Sequence, residues 1–173
     1  MKLMKQGTVL WITGLSGAGK TTIGRLLYAK LKELYPNTVL FDGDEMRGVF
    51  DNECGYSYEE RKADSYRWIK IANMLSQQGI NVVCCVISMY DEIRAWNRTH
   101  YPAYKEIFLN VPMTVLRARD KKGLYSGAEK GTIKEVVGVD IKAEFPKQPE
   151  FEFINDGSLT PEEIVAEILN GLK

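Results

Sequence analysis

Apolar, β-branched runs alternate along the chain with stretches of helical spacing. The run TVLWIT (8–13) reads as a buried strand. After it, Ile23, Leu26, Leu27, Leu31 and Leu34 recur at the period of a helix with one buried face. TVLFD (38–42) is a second strand. Ser57-Tyr58-Glu59-Glu60 fits a capping box, in which Ser57 and Glu60 satisfy each other's backbone N–H. A helix is predicted from there to about Gln78, burying Trp68, Ile71, Ala72 and Leu75. NVVCCVI (81–87) is apolar throughout, as a central parallel strand should be. EIFLNV (106–111) and FEFIN (151–155) complete five strands. Thr160-Pro161-Glu162-Glu163 opens a last helix with proline in its first turn. Ile164, Val165, Ile168, Leu169 and Leu172 form its buried face. This alternation predicts an α/β fold of three layers, a five-stranded parallel sheet with helices on both faces.

No repeat, linker or low-complexity tract interrupts the pattern, so one domain over 1–173 is expected. Residues 120–150 are rich in Lys and Gly and weakly periodic. Such a segment in a compact domain is expected to be a functional loop or lid, or poorly ordered.

Composition narrows the partners. Lys+Arg and Asp+Glu both number 23, and the zero net charge argues against a nucleic-acid-coating protein. The cysteines, Cys54, Cys84 and Cys85, are odd in number, and two are adjacent in an apolar run. They read as buried thiols in a reducing compartment, not as a disulfide frame or zinc site. The opening MKLMKQGTVLWITG shows no signal-peptide pattern, and no run approaches the roughly 20 apolar residues of a membrane span. A cytoplasmic protein without a membrane partner is expected. The oligomeric state is open, with a homodimer as one arrangement. His100 has no partner pattern and is expected at the surface; Trp96, Tyr101 and Tyr104 are expected to pack.

The first strand and helix flank the most informative stretch. Gly14-Leu15-Ser16-Gly17-Ala18-Gly19-Lys20-Thr21 fits G-x-x-x-x-G-K-[ST], the phosphate loop of P-loop NTPases. Its glycines allow a tight turn whose N–H groups, with the helix N-terminus, cradle phosphate oxygens. Lys20 would reach the β- and γ-phosphates of ATP, and Thr21 would offer its hydroxyl to Mg²⁺. Guanine's Asn-Lys-x-Asp motif is absent, and the third strand ends in VIS without a terminal Asp. An acidic pair follows the second strand instead, in FDGDEMRG. Asp42 and Asp44 would lie at the carboxyl end of the sheet, where open parallel sheets bind ligands. They could orient Mg²⁺ or accept a proton from an attacking hydroxyl. A plain Asp-Gly turn is the alternative.

With these motifs the sequence resembles the adenylylsulfate (APS) kinase family over roughly residues 7 to 157. The residues that carry the resemblance are GLSGAGKTT (14–22), DGDEMR (42–47), GYSYEER (55–61), ISMY (87–90), RDKKGLY (119–125) and GVD (138–140). The resemblance implies a P-loop kinase with a mobile lid that transfers the γ-phosphoryl group of ATP to the 3′-hydroxyl of adenylyl sulfate. By position, Gly14, Ser16, Gly17, Ala18, Gly19, Lys20, Thr21 and Thr22 would serve ATP, with Arg119 near its base. Thr21 and Asp42 would serve Mg²⁺. Asp44 would engage the acceptor hydroxyl, although the roles of Asp42 and Asp44 could be reversed. Arg47 and Arg61 would grip the acceptor's 5′ anionic end, and Tyr56, where the family usually has Phe, would face its base. Ile87 and Ser88 would line the acceptor pocket. Lys122, Gly123, Leu124 and Tyr125 would belong to the lid.

The departures from the family pattern point to the acceptor. An amide has become Asp64 and an arginine Tyr66; I-S-P-Y reads Ile87-Ser88-Met89-Tyr90; Asp91 stands where Arg is frequent; the lysine after G-L-Y is Ser126. Several remove positive charge or add negative charge near the expected acceptor, and an unpaired carboxylate there should weaken binding of a sulfate-bearing nucleotide. None touches the ATP half. A variant acceptor is therefore expected, with a ribose 3′-hydroxyl and a 5′ terminus less anionic than sulfate or able to donate hydrogen bonds. Cytidine diphosphoramidate, a precursor of bacterial capsule phosphoramidate, fits. Adenylyl sulfate itself is the alternative, and another P-loop small-molecule kinase or a non-enzymatic nucleotide-binding subunit remain further ones.

Overall fold

The computed structural model describes Lys5, residues 7–50 and residues 55–172, apart from the side chain of Lys121. Cys54 lies outside the described residues; Cys84 and Cys85 are buried and free. The strands β1 (Thr8–Thr13), β2 (Thr38–Asp42), β3 (Asn81–Val86), β4 (Ala103–Asn110) and β5 (Phe151–Ile154) form one parallel sheet in the order β2-β3-β1-β4-β5. The central β1 and β3 are buried along their whole length, as their unbroken apolar runs predicted.

Alternate residues of β1 serve the two faces. Leu10 and Ile12 pack with Ile23 and Leu27 of α1 (Lys20–Leu34) and with Ile164 and Ile168 of α7 (Pro161–Gly171). Val9 and Trp11 pack with Trp68 and Ile69 of α3 (Tyr58–Gln77) and Ile93 of α4 (Asp91–His100). Both predicted capping boxes are present, Ser57 with Glu60 and Thr160 with Glu163.

Other details depart from the sequence reading. Leu34 overhangs the end of α1 and is exposed. The buried stripe of α3 runs through Asp64, Ser65, Trp68, Ile69, Ala72 and Ser76, while Ile71 and Leu75 are half-buried. Periodicity did not predict α4, because its inner face holds Arg94 and Asn97 beside Ile93. Arg94 and Arg98 there pair with buried Glu106 of β4. The short α2 (Gly43–Val49), α5 (Met113–Arg119) and α6 (Leu124–Glu129) were also not predicted. Thus the 120–150 stretch is helical in part, and its Val136, Val137 and Ile141 join the core. No helix among the described residues is long and apolar enough to cross a membrane.

Candidate active site

The carboxyl ends of β1, β2 and β3 open into one cavity of about 440 Å³. Its base is the Gly14–Gly19 turn. Gly17 and Gly19 hold left-handed φ values of 79° and 95°, which glycine adopts without penalty. A Cβ on Gly19 would lie 2.7 Å from Asn155 Nδ2. That amide donates to Ala18 O at 2.8 Å. Arg119 donates to Gly17 O at 3.2 Å and to Asn155 O at 2.9 Å. The loop is therefore tied by its carbonyls to the far side of the sheet.

Lys20, at the head of α1, donates from Nζ to Gly14 O at 2.9 Å and Leu15 O at 2.8 Å. Burial lowers its pKa to about 8. Beside it, burial pushes the Cys85 thiol up to about 12, so that thiol stays neutral.

Asp42 ends β2 and caps α2. One oxygen accepts from Asp44 N at 3.0 Å and the other from Thr21 Oγ1 at 2.6 Å. This arrangement is a helix cap rather than a bare Asp-Gly turn. A hydroxyl and a carboxylate side by side are hard oxygen donors that fit Mg²⁺, which takes few protein ligands and keeps several waters. Among the described residues no group of three or more His, Cys, Asp or Glu could hold a metal ion. Asp44 is exposed on the first turn of α2, and its Oδ2 receives Lys122 Nζ at 2.6 Å.

The opposite wall carries the arginines. Arg47 Nη2 lies 2.9 Å from Asp64 Oδ2, and Nη1 donates to Gly55 O at 3.2 Å. Asp64 is only 1% exposed and also holds Arg67 at 3.2 Å. The guanidinium carbons of Arg47 and Arg61 stand 4.8 and 5.0 Å from the centroid of the Tyr56 ring, both within cation–π range. Arg61 donates from Nε to Tyr56 O at 2.7 Å and from Nη2 to Glu135 O at 3.0 Å. Ser88 has a positive φ of 26°, and its buried hydroxyl has no hydrogen-bond partner among the described residues.

The lid leaves α5 through a 3₁₀ turn at Lys121–Gly123, with left-handed Asp120, Lys122 and Gly123. Tyr125 then donates from its hydroxyl to Ser16 O at 2.8 Å, anchoring α6 to the phosphate loop.

Sequence comparison agrees with this geometry. The profile of the adenylylsulphate kinase family matches residues 6–154. The chain belongs to this family. It is 42% identical over 139 residues to the cytidine diphosphoramidate kinase of Campylobacter jejuni subsp. jejuni serotype O:2, covering 80% of this chain and 81% of that one. It is 39% identical over 171 residues to the adenylyl-sulfate kinase of Rippkaea orientalis, covering 99% and 94% of the two chains. The structure of the Mycobacterium tuberculosis APS kinase CysC in complex with AMPPNP and APS matches with a TM-score of 0.87 at 29% identity, covering 97% of this chain and 98% of that one. The protein is thus an ATP-dependent kinase of adenylylsulfate kinase type, a phosphotransferase on a P-loop fold.

Within this kinase, Ser16, Gly17, Gly19, Lys20, Thr21 and Thr22 line the cavity, as do Asp42, Asp44, Lys122 and Leu124. So do Arg47, Tyr56, Arg61, Asp64, Ile87 and Ser88 on the wall expected to meet the acceptor. Gly14, Ala18 and Arg119 do not. Gly14 packs against Leu109, the N–H of Ala18 is turned inward to Leu15 O, and Arg119 supports the loop from behind.

Most of the departures from the family pattern are paired within the protein. Asp64 is not an unpaired carboxylate facing the acceptor, because Arg47 and Arg67 flank it. Tyr66 lies two residues on, roughly 200° around the helix, and donates to Glu92 of α4 at 2.7 Å. Asp91 pairs with Arg94 and Lys147. Ser126 caps back onto Asp120 and Gly123. Among the departures, Asp64, Met89 and the Tyr56 that replaces Phe line the cavity; Tyr66, Asp91 and Ser126 do not.

The sequence reading also missed wall residues. Lys134, Glu135, Val136, Val137 and Lys142 line the cavity, and Asn155 fastens its base. The GVD motif was the available signal for the first group. Its Asp140 carboxylate accepts the N–H groups of Glu135 at 2.6 Å and Val136 at 2.5 Å.

Proposed function

We propose that this kinase transfers the γ-phosphoryl group of ATP to the ribose 3′-hydroxyl of cytidine diphosphoramidate, a step toward capsule phosphoramidate. The observation that carries the acceptor reading is the pairing of Arg47 with buried Asp64. Arg47 is held by that carboxylate as an ion pair without hydrogen-bond alignment, donates to Gly55 O and sets its face on Tyr56. Arg61 spends Nε and one Nη on backbone carbonyls. The guanidinium fork suited to a group that only accepts hydrogen bonds is thus largely committed. A phosphoramidate terminus donates through its N–H as well as accepting, and suits such a wall better than sulfate. The 42% identity to a cytidine diphosphoramidate kinase supports the same acceptor.

The roles follow from position. Lys20 exchanges Gly14 O and Leu15 O for phosphate oxygens. Asp44 takes the proton as the 3′-oxygen bonds to the γ-phosphorus and the bridge to ADP breaks. Thr21 and Asp42 hold Mg²⁺, which when bound supplies neutralisation of phosphate charge. Tyr56 receives the acceptor base, Arg61 and Arg47 its 5′ end, and Ile87 and Ser88 line its pocket. Lys122 and Leu124 close over the reacting groups and exclude water.

Adenylyl sulfate is the second reading. Relatives such as the Rippkaea orientalis enzyme, matched over 99% of this chain, favour it. The test is coupled ADP release with ATP and Mg²⁺, comparing the two acceptors. Faster turnover of the cytidine compound is expected. Equal or faster turnover of adenylyl sulfate overturns that acceptor, and no acceptor-dependent release with either overturns the 3′-kinase reading.

A further inference from the structure

Glu135 stands on the cavity wall in a backbone conformation that side-chain-bearing residues rarely adopt, with φ at 64°. Strain of this kind persists only where the surroundings over-determine it, and it gathers at binding sites. Here hydrogen bonds hold the backbone, while the carboxylate lies within electrostatic reach of the Arg61 guanidinium. Asp140 takes the N–H groups of Glu135 and Val136, Arg61 donates to Glu135 O at 3.0 Å, and Val136 and Val137 are buried in the core. The Glu135 carboxylate accepts no hydrogen bond from a protein group among the described residues.

Its position is defined by Arg61. The same guanidinium that binds Glu135 O binds Tyr56 O at 2.7 Å and stacks on the Tyr56 ring. One guanidinium therefore spaces the Glu135 backbone from Tyr56. Tyr56 and Glu135 line the same cavity, so a base received at Tyr56 shares that wall with Glu135.

We propose that Glu135 is a specificity-determining residue that accepts a hydrogen bond from the exocyclic amino group of the acceptor base. This rests on the reading that the base lies against Tyr56, but not on the choice between the two 5′ termini, because cytosine and adenine both carry such a group. An ionised carboxylate offers acceptors only. It pairs with cytosine N4 or adenine N6. It repels the carbonyl oxygen that uracil or hypoxanthine presents at the same place. Glu135 is exposed, so water competes for it. The expected discrimination is about tenfold to a hundredfold, below that of a fully buried hydrogen-bonding site.

The test compares kcat/KM for cytidine and uridine diphosphoramidate, and for adenylyl and inosinyl sulfate, in the wild type, Glu135→Gln and Glu135→Gly. The wild type should prefer the amino base in the pair it uses by at least about tenfold. Glu135→Gln, whose amide both donates and accepts, should bring that ratio to about threefold or less with the KM for ATP unchanged. Glu135→Gly suits the left-handed backbone and should lose the preference without lowering Tm. A wild-type ratio near one, or a ratio that survives both substitutions, overturns the assignment while leaving the 3′-kinase reading intact. No turnover of any of the four acceptors overturns both.

Discussion

Lys122 Nζ donates to Asp44 Oδ2 at 2.6 Å, joining the lid to the first turn of α2 across 78 positions of sequence. Both side chains are mostly exposed, at 66% and 74%. Pairs of that exposure contribute little to folding. The contact instead places a cation on the carboxylate assigned to the acceptor hydroxyl. Lys122→Ala should leave Tm nearly unchanged yet lower kcat about a hundredfold, the low end of what one lost transition-state contact costs. Thermal melts beside steady-state ADP release check it, and unchanged kcat removes Lys122 from the reacting set.

Asp64 presents the opposite case, a buried carboxylate held between Arg47 and Arg67. Asp64→Ala removes one partner of a buried pair and should cost about 3 kcal/mol. At this chain length that is a Tm drop of about 6–12 °C. Asp64→Asn keeps the shape and releases Arg47 from its counter-charge. Its kcat/KM ratio should move about tenfold toward adenylyl sulfate, equivalent to about 1.4 kcal/mol. A parallel fall for both acceptors would make Asp64 structural only.

Lys20 gives a pH signature. Burial holds its pKa near 8 in the ligand-free protein, against an ordinary 10.5. ATP needs the ammonium form, so affinity should fall about tenfold per pH unit above 8 as the free protein loses that proton. Calorimetry at pH 9 in buffers of different ionisation enthalpy should show about one proton taken up with ATP. The sign for folding is opposite. Between about 8 and 10.5 the unfolded chain keeps the proton that the folded protein has released, so this group adds stability as pH rises through that window and nothing further above it. Lys20→Met should lack both effects and nearly all turnover.

Asp42 caps α2 and accepts from Thr21. Asp42→Ala should cost about 1 kcal/mol as a lost cap. Thr21→Val leaves the cap in place. Both should lose most turnover at low Mg²⁺ concentration, and Thr21→Val without a matching loss of Tm. A Mg²⁺ titration of initial rates distinguishes the site from a purely local folding role.

Gly19→Ala should disable ATP binding. The substitution forces a side chain into φ 95° and places its Cβ 2.7 Å from Asn155 Nδ2. Nucleotide titration by fluorescence measures the loss. Wild-type affinity in this variant would show that the loop tolerates a shift of Asn155.

Local pattern determined much of this protein. Strand burial, the two capping boxes and the phosphate loop each depend on residues within a few positions of one another, so period and motif disclose them in a single sequence. The acidic pair after β2 was legible for the same reason. Tertiary structure alone decided what those residues face. Asp64 has a local partner in Arg67, but its second, Arg47, is set against it only by helix packing. Asn155 has no visible role until β5 brings it 2.8 Å from Ala18 O, 137 positions away. Glu135 resembles any surface acid until Asp140 and Arg61 pin its backbone. The polar inner face of α4 hid a helix, because Arg94 is buried there by its pairing with Glu106 of β4. Periodicity registers burial only when buried residues are apolar, and partners distant in sequence leave no local trace.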